Sequence, residues 1–445
     1  MTSDIRPAPF AAKRRRQLPG QFAMPLAPTR IPLFERLIYY LLIPELFCRI
    51  ILEFGAGIYW YTLNQPKQWC IYLLIFGEYI FQIYFVRKMR FHLGWNIAAA
   101  GLLLVMLAHG TISGLYWGNA PTKIATDSIP LVVMVANILF LSREGAFDGF
   151  SFDRLTTAIY IYAATMLVFG FLAVSMGRPS IISVGTSAGS MICLSVIAIN
   201  FKVKPRLNLV DISMVIVILA AIAPSMNRTS LVVLAFSVAF FIIPRVFKSV
   251  VSTYFFFLLF VSAIVLAPAL VPEDSPLMRR LETTLEFNSG QTDGSLGERQ
   301  SEVIAIDERL KALGPDGEMF GLGAGGTYFV VFSRGHVPEN YSHAHYGWAL
   351  FKLRYGYVGY LYLALFLLLL TVQAALGLRR RDPASILIGM MAAWGVVYTF
   401  TYVSHNMLTV GLQFSTSTQR SRRPSSFGPL AREPGMIGEP KRLQP

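Results

Sequence analysis

The sequence predicts an all-α polytopic membrane protein of about 11–12 transmembrane helices with one large extracytoplasmic loop. Three observations predict it. The 445-residue chain is 54% hydrophobic and only 14% charged, whereas soluble domains carry about 25% charge. Its apolar residues fall in runs long enough to cross about 30 Å of hydrocarbon, not in strands alternating every second position. Its basic residues cluster between those runs, as cytoplasmic loops hold them. The net charge of +14 therefore reports sidedness, and a nucleic-acid partner is not expected.

Residues 1–30 are rich in Pro and Arg and read as a disordered cytoplasmic tail without the apolar core of a signal peptide. Residues 31–270 are expected to hold transmembrane helices 1–9, with apolar runs at 33–60, 68–86, 93–117, 127–142, 155–176, 181–200, 207–224, 229–243 and 250–270. Cys48, Cys70 and Cys193 all fall in these runs and read as small core hydrophobes. Residues 271–342 form the large loop. Residues 343–414 hold the C-terminal helices, with runs at 346–376 and 384–403. The stretch 404–414 (SHNMLTVGLQF) is a re-entrant piece or the end of a twelfth span. Residues 415–445, rich in Pro, Ser, Gly and Arg, read as a second disordered tail.

Placing the N-terminus inside assigns 13 basic residues to inner loops: Arg87, Lys88, Arg90, Arg143, Arg154, Lys202, Lys204, Arg206, Arg245, Lys248 and Arg379 to Arg381. The short outer loops then hold four: Lys67, Lys123, Arg178 and Arg228. This bias puts 271–342 outside. That segment contains 12 acidic and 6 basic residues, a composition unlike its flanks. A helix is expected at 298–313, where Val303, Ile306 and Leu310 recur at three- and four-residue spacing. A Gly-rich turn and a strand-like TYFVVF follow. A connection this long reads as functional, or as partly folded over the membrane face.

The run from Gly321 to Gly326 contains GxGxxG, but a dinucleotide site needs a preceding strand and a following helix. It reads instead as a tight backbone turn, with amides available to an anion. His336, His343 and His345 lie within ten residues. No carboxylate or cysteine stands near them at metal-ligand spacing. At the water boundary a near-neutral imidazole can exchange a proton with a polar group. Equally, these histidines can belong to an interfacial belt with Tyr341, Tyr346 and Trp348. Arg228 and Arg178 stand against the positive-inside trend, which suggests an anionic partner. The arginine fork suits a diphosphate. Arg299 reads as ordinary charge in an exposed segment.

An arginine opening a span (Arg228 in NRTSLVVLAFSVAF), a loop arginine (Arg299 in SLGERQSEVIAIDERL), a Gly-rich turn (MFGLGAGGTYF) and a histidine-led span (HAHYGWALFKLRYGYVG) occur in that order. Over roughly 220–370 this order resembles the O-antigen ligase and O-antigen polymerase superfamily of bacterial envelope glycosyltransferases. The resemblance implies an inner-membrane enzyme with its site facing the periplasm, using neither metal nor nucleotide cofactor. It implies an undecaprenyl-diphosphate-linked glycan as donor. The acceptor is a second lipid-linked repeat unit for a polymerase or lipid A–core for a ligase. Membrane lipid and other polysaccharide assembly proteins are the implied partners, and a lipid-linked oligosaccharide flippase or other transporter is the alternative. Carried over residue by residue, the family's arginines fall on Arg228 and Arg299. Its histidine, eleven residues before the first glycine of G-x-x-G, falls on His345. His343 begins a competing frame with Tyr346 in the tyrosine position. Neither frame has the family's asparagine.

Overall fold

The computed structural model describes residues 31–58, 60–85, 96–143, 145–175, 188–203, 209–222, 294–330, 339–341, 344, 346–380 and 382–401. The expected spans at 229–243 and 250–270, both tails, the stretch 404–414, and Arg178, Arg228, His336, His343 and His345 lie outside the described residues.

The described residues are predominantly helical. In chain order they form α1 (Leu33–Phe47), a π-helical turn (Cys48–Gly55), α2 (Trp60–Phe85), α3 (Asn96–Tyr116), α4 (Pro121–Leu141), α5 (Phe152–Ser175), α6 (Ala188–Val203) and α7 (Leu209–Ile222). After position 293 come α8 (Gly294–Ala312), α9 (Gly314–Phe320), β1 (Tyr328–Val330), β2 (Glu339–Tyr341), α10 (Gly347–Tyr355), α11 (Val358–Arg379) and α12 (Pro383–Thr401). Helices α3, α4 and α11 are each long and apolar enough to cross a membrane, so the fold is a helical, multi-pass, membrane-associated one.

Two expected spans change shape. The run 33–60 is α-helical only to Phe47, where α1 gives way to an eight-residue π-helical stretch. The run 346–376 is two helices. Gly356 ends α10 with φ +60, a conformation that leaves the helical path. A Cβ there would crowd the Met319 carbonyl carbon at 2.5 Å. The span proper is α11, and α10 is a separate helix of 9 residues. Helix α4 starts six residues ahead of its apolar run because Pro121, at its first position, is pre-set for a helix start.

Polar residues are paired where helix ends meet. Asn96, opening α3, donates to Ser142 Oγ beyond α4 (2.9 Å), so the two helices run antiparallel. At the same end, Arg154 of α5 forms a fork onto Glu35 of α1, and Arg36 reaches Glu78 of α2 at 3.0 Å. Tyr39 donates to Glu35 and Tyr40 to Glu78. Glu35 is fully buried, so these donors supply what water no longer can. Helices α11 and α12 meet at Gly377 and Gly389, where a side chain on either would strike the other's backbone. Such small-residue contacts let membrane helices approach closely.

Outside the bundle α8 forms as its spacing predicts. Ile306 and Leu310 are buried with Tyr328, Val330, Ala344, Leu350 and Leu353 in a separate apolar cluster. The strand β1 pairs antiparallel with β2, Tyr328 opposite Tyr341 and Val330 opposite Glu339.

Candidate functional site

The Gly-rich segment is the hinge of the site. It does not lie loose over the bundle but threads into its rim. The Ala324 N–H donates to the Gly110 carbonyl of α3 at 2.7 Å. Gly110 stands six residues before the end of α3, about 9 Å along the axis. Gly323 lies in the left-handed region at φ +69, and a Cβ on it would overlap the backbone of Gly114. Gly110 and Gly114, one turn apart on α3, supply the space.

Non-helical backbone at this depth must find its hydrogen bonds within the protein, and it does. The N–H groups of Leu322 and Gly323 donate to the Leu353 and Arg354 carbonyls of α10 (2.8 and 2.9 Å). Trp117 Nε1–H donates to the Gly321 carbonyl, and Asn119 Nδ2 donates to the Leu322 and Ala324 carbonyls (2.8, 2.8 and 2.9 Å). The expected anion is internal to the chain. Asp127 Oδ2 of α4 accepts from the Gly325 N–H at 2.6 Å and from Arg354 Nη1. The segment is the tight backbone turn the sequence predicts, and the anion beside its amides is the Asp127 carboxylate of the protein itself.

Asp127 therefore joins α4, the glycine segment and α10. Asp127→Ala should lower stability by about 1.5–3 kcal/mol, the value of a charge-assisted hydrogen bond. Asp127→Asn, which keeps one accepting oxygen, should lose less. Thermal unfolding in detergent checks the order.

His109 of α3 sits beside the same hinge. Its Nε2 lies 3.1 Å from the Phe320 carbonyl and its Nδ1 3.0 Å from Tyr362 Oη. A carbonyl only accepts, so Nε2 carries the proton. In the neutral ring Nδ1 then accepts from the Tyr362 hydroxyl. The rings of Phe320, Tyr355 and Tyr362 meet the imidazole edge-on.

Of the sequence-predicted site residues Arg299 alone is among the described residues, and it stands at the N-terminal end of α10. Arg299 lies on the face of α8 that carries Glu302, Ile306 and Leu310, all buried. Its Cζ stands 5.6 Å from the ring centroid of Tyr346, and Tyr346 stacks on Trp348 at 5.8 Å. Tyr346 is bonded to position 345, and Ala344, between the two histidine positions, is buried in the α8–α10 cluster. Helix α8 therefore sets Arg299 over Tyr346, at the head of α10. Arg299 is correspondingly more than loop charge, since its guanidinium is held over an aromatic face.

Nothing in the sequence singles out Glu302. It is 2% exposed and hydrogen-bonded by Tyr328, whose phenol is pushed well up by burial, then by the charge of Glu302 and by Tyr341. The phenol stays a donor at any ordinary pH. Farther along α10, Lys352 lies 2.6 Å from the Asp307 carboxylate and 5.6 Å from the Tyr357 ring centroid, so α8 is tied to α10 along two turns.

Among the described residues no cluster of three or more His, Cys, Asp or Glu is arranged to hold a metal. No protein-family model and no curated protein matches the chain.

Proposed function

We propose that this chain is a multi-pass glycosyltransferase of the bacterial inner membrane, with a large segment around 271–342 and its active site on the periplasmic face. Its substrate is a glycan on undecaprenyl diphosphate, and its product is a lengthened surface or secreted polysaccharide. The observation that carries this reading is the guanidinium of Arg299 over Tyr346, one residue from His345. A cation suited to phosphoryl oxygens thus stands over the residue that follows a candidate base in sequence, which supports a shared role although 46 positions separate Arg299 from His345. The asymmetry of basic residues between alternate loops supports the sidedness.

In this reading the acceptor hydroxyl attacks the anomeric carbon as His345, or His343, takes its proton. The new C–O bond forms while the bond from that carbon to the diphosphate oxygen breaks. Undecaprenyl diphosphate leaves with the electron pair, and the anomeric centre inverts. Arg228 and Arg299 stabilise the charge that grows on the departing diphosphate. No cofactor is assigned a step.

Purified protein in lipid vesicles, given lipid-linked repeat units, is expected to release undecaprenyl diphosphate without ATP as chains lengthen. Unchanged donor carried across the bilayer would identify a flippase instead. Transfer only to lipid A–core would identify a ligase. A reporter at 292–294 that behaves as cytoplasmic would overturn the sidedness.

A further inference from the structure

Helix α9 presents an apolar end that is only half covered by protein, the Phe320 ring meeting His109 on one side. Met319 is 47% and Phe320 49% exposed, although both sit where the chain turns into the bundle rim. Their height is set by hydrogen bonds to two spans. His109 Nε2 donates to the Phe320 carbonyl from seven residues inside the end of α3, about 10 Å along its axis. The Tyr357 N–H, at the head of α11, donates to the Glu318 carbonyl at 2.9 Å. Helix α11 has 22 residues, about 33 Å, little more than the hydrocarbon thickness, so its first turn lies at the membrane boundary. Beside α9, Tyr357, Tyr360 and Leu361 of that turn are also exposed. Tyrosines at such a level match the aromatic belt of membrane proteins. The acidic Asp316 is exposed at the opposite end of α9.

We propose that α9 is inserted into the membrane interface, Met319 and Phe320 contacting phospholipid acyl chains, and that it moors α8 at a fixed height over the bilayer. The inference does not depend on the transferase reading. The occupant is the bilayer itself, because the backbone beside the exposed side chains is hydrogen-bonded into the exposed first turn of a span, at that span's membrane boundary. The acidic end stays in the headgroup layer. Interfacial helices bind in this manner, apolar side down. The mooring has a consequence for Arg299: a helix tied to lipid through α9 and to α10 through Lys352 and Asp307 holds it at one level.

The test uses the full-length chain with Cys48, Cys70 and Cys193 replaced by serine, and single cysteines introduced as Asp316→Cys, Met319→Cys and Phe320→Cys. Each is labelled with a nitrobenzoxadiazole dye and placed in phosphatidylethanolamine–phosphatidylglycerol vesicles free of polyprenyl lipid. Nitroxide-labelled acyl chains should quench positions 319 and 320 several-fold more than position 316, with blue-shifted emission. Water-like emission and no quenching at 319 and 320 would overturn the proposal. Quenching that arises only when undecaprenyl diphosphate is added would overturn it too, assigning the patch to a donor tail. The unmodified protein gives a second reading that survives any folding failure of the variants. A photoactivatable acyl-chain phospholipid should label the peptide spanning 314–320, and an unlabelled peptide would again overturn it.

Discussion

Gly323→Ala is expected to destabilise the protein by about 2–5 kcal/mol, combining a left-handed backbone penalty of about 1–2 kcal/mol with overpacking of about 1–3 kcal/mol. The added methyl meets the Gly114 amide nitrogen, the Gly110 carbonyl and the Ser113 carbonyl carbon, all of them backbone, so nothing cheap can move aside. Gly314→Ala supplies the contrast. Its φ is +76, but no atom lies within 4 Å of where its Cβ would stand, so only the backbone penalty should appear. Thermal unfolding of the two variants in the same detergent should separate them clearly. Equal losses would mean that the glycine segment does not pack on α3 as described.

Arg299→Ala is expected to slow transfer about a hundredfold, on the order of 3 kcal/mol of transition-state stabilisation, if its contact is worth one lost oxyanion donor. Arg299→Lys should fail nearly as badly. A lysine can still sit over Tyr346, but as a point charge it cannot reproduce the two-pronged contact with phosphoryl oxygens. Tyr346→Phe keeps the ring under the guanidinium and should retain most activity, whereas Tyr346→Leu should lose part of it. Initial rates of undecaprenyl diphosphate release from vesicles measure all four. On the proposed mechanism the loss should appear in kcat, because the charge assigned to Arg299 develops in the transition state.

Much of the fold is legible in the sequence because hydrocarbon imposes a length, and an apolar run of that length has few alternatives to helix. The spacing of Val303, Ile306 and Leu310 likewise foretells α8. The break at Gly356 is harder to see. The run stays apolar through it, and the crowding that requires a glycine comes from Glu318 and Met319 in another element. The glycine segment announces itself, yet its partners Gly110, Gly114, Asn119 and Asp127 lie roughly two hundred positions upstream. Nothing local points to them. Asp127 stands at the edge of an apolar run, where an acid reads as a headgroup contact, although an acid near a span is a recognised functional signal. His109 is inconspicuous beside the clustered histidines for a similar reason: a lone imidazole in an apolar helix resembles core. For the site, proximity of Arg299 to the histidine-bearing peptide follows from the order of motifs only through the resemblance. The structure sets Arg299 over Tyr346 through one face of α8.

The central claim is that His345 or His343, just before the Tyr346 that Arg299 covers, is the base for glycan transfer. The most direct measurement is the rate at which a His343→Ala/His345→Ala double variant, reconstituted at wild-type protein levels, releases undecaprenyl diphosphate from lipid-linked repeat units. The account predicts release at the uncatalysed background. The single variants should then divide the effect, His345→Ala failing and His343→Ala milder. Wild-type release by the double variant would contradict the account, and the histidines would be interfacial residues alongside Tyr346 and Trp348.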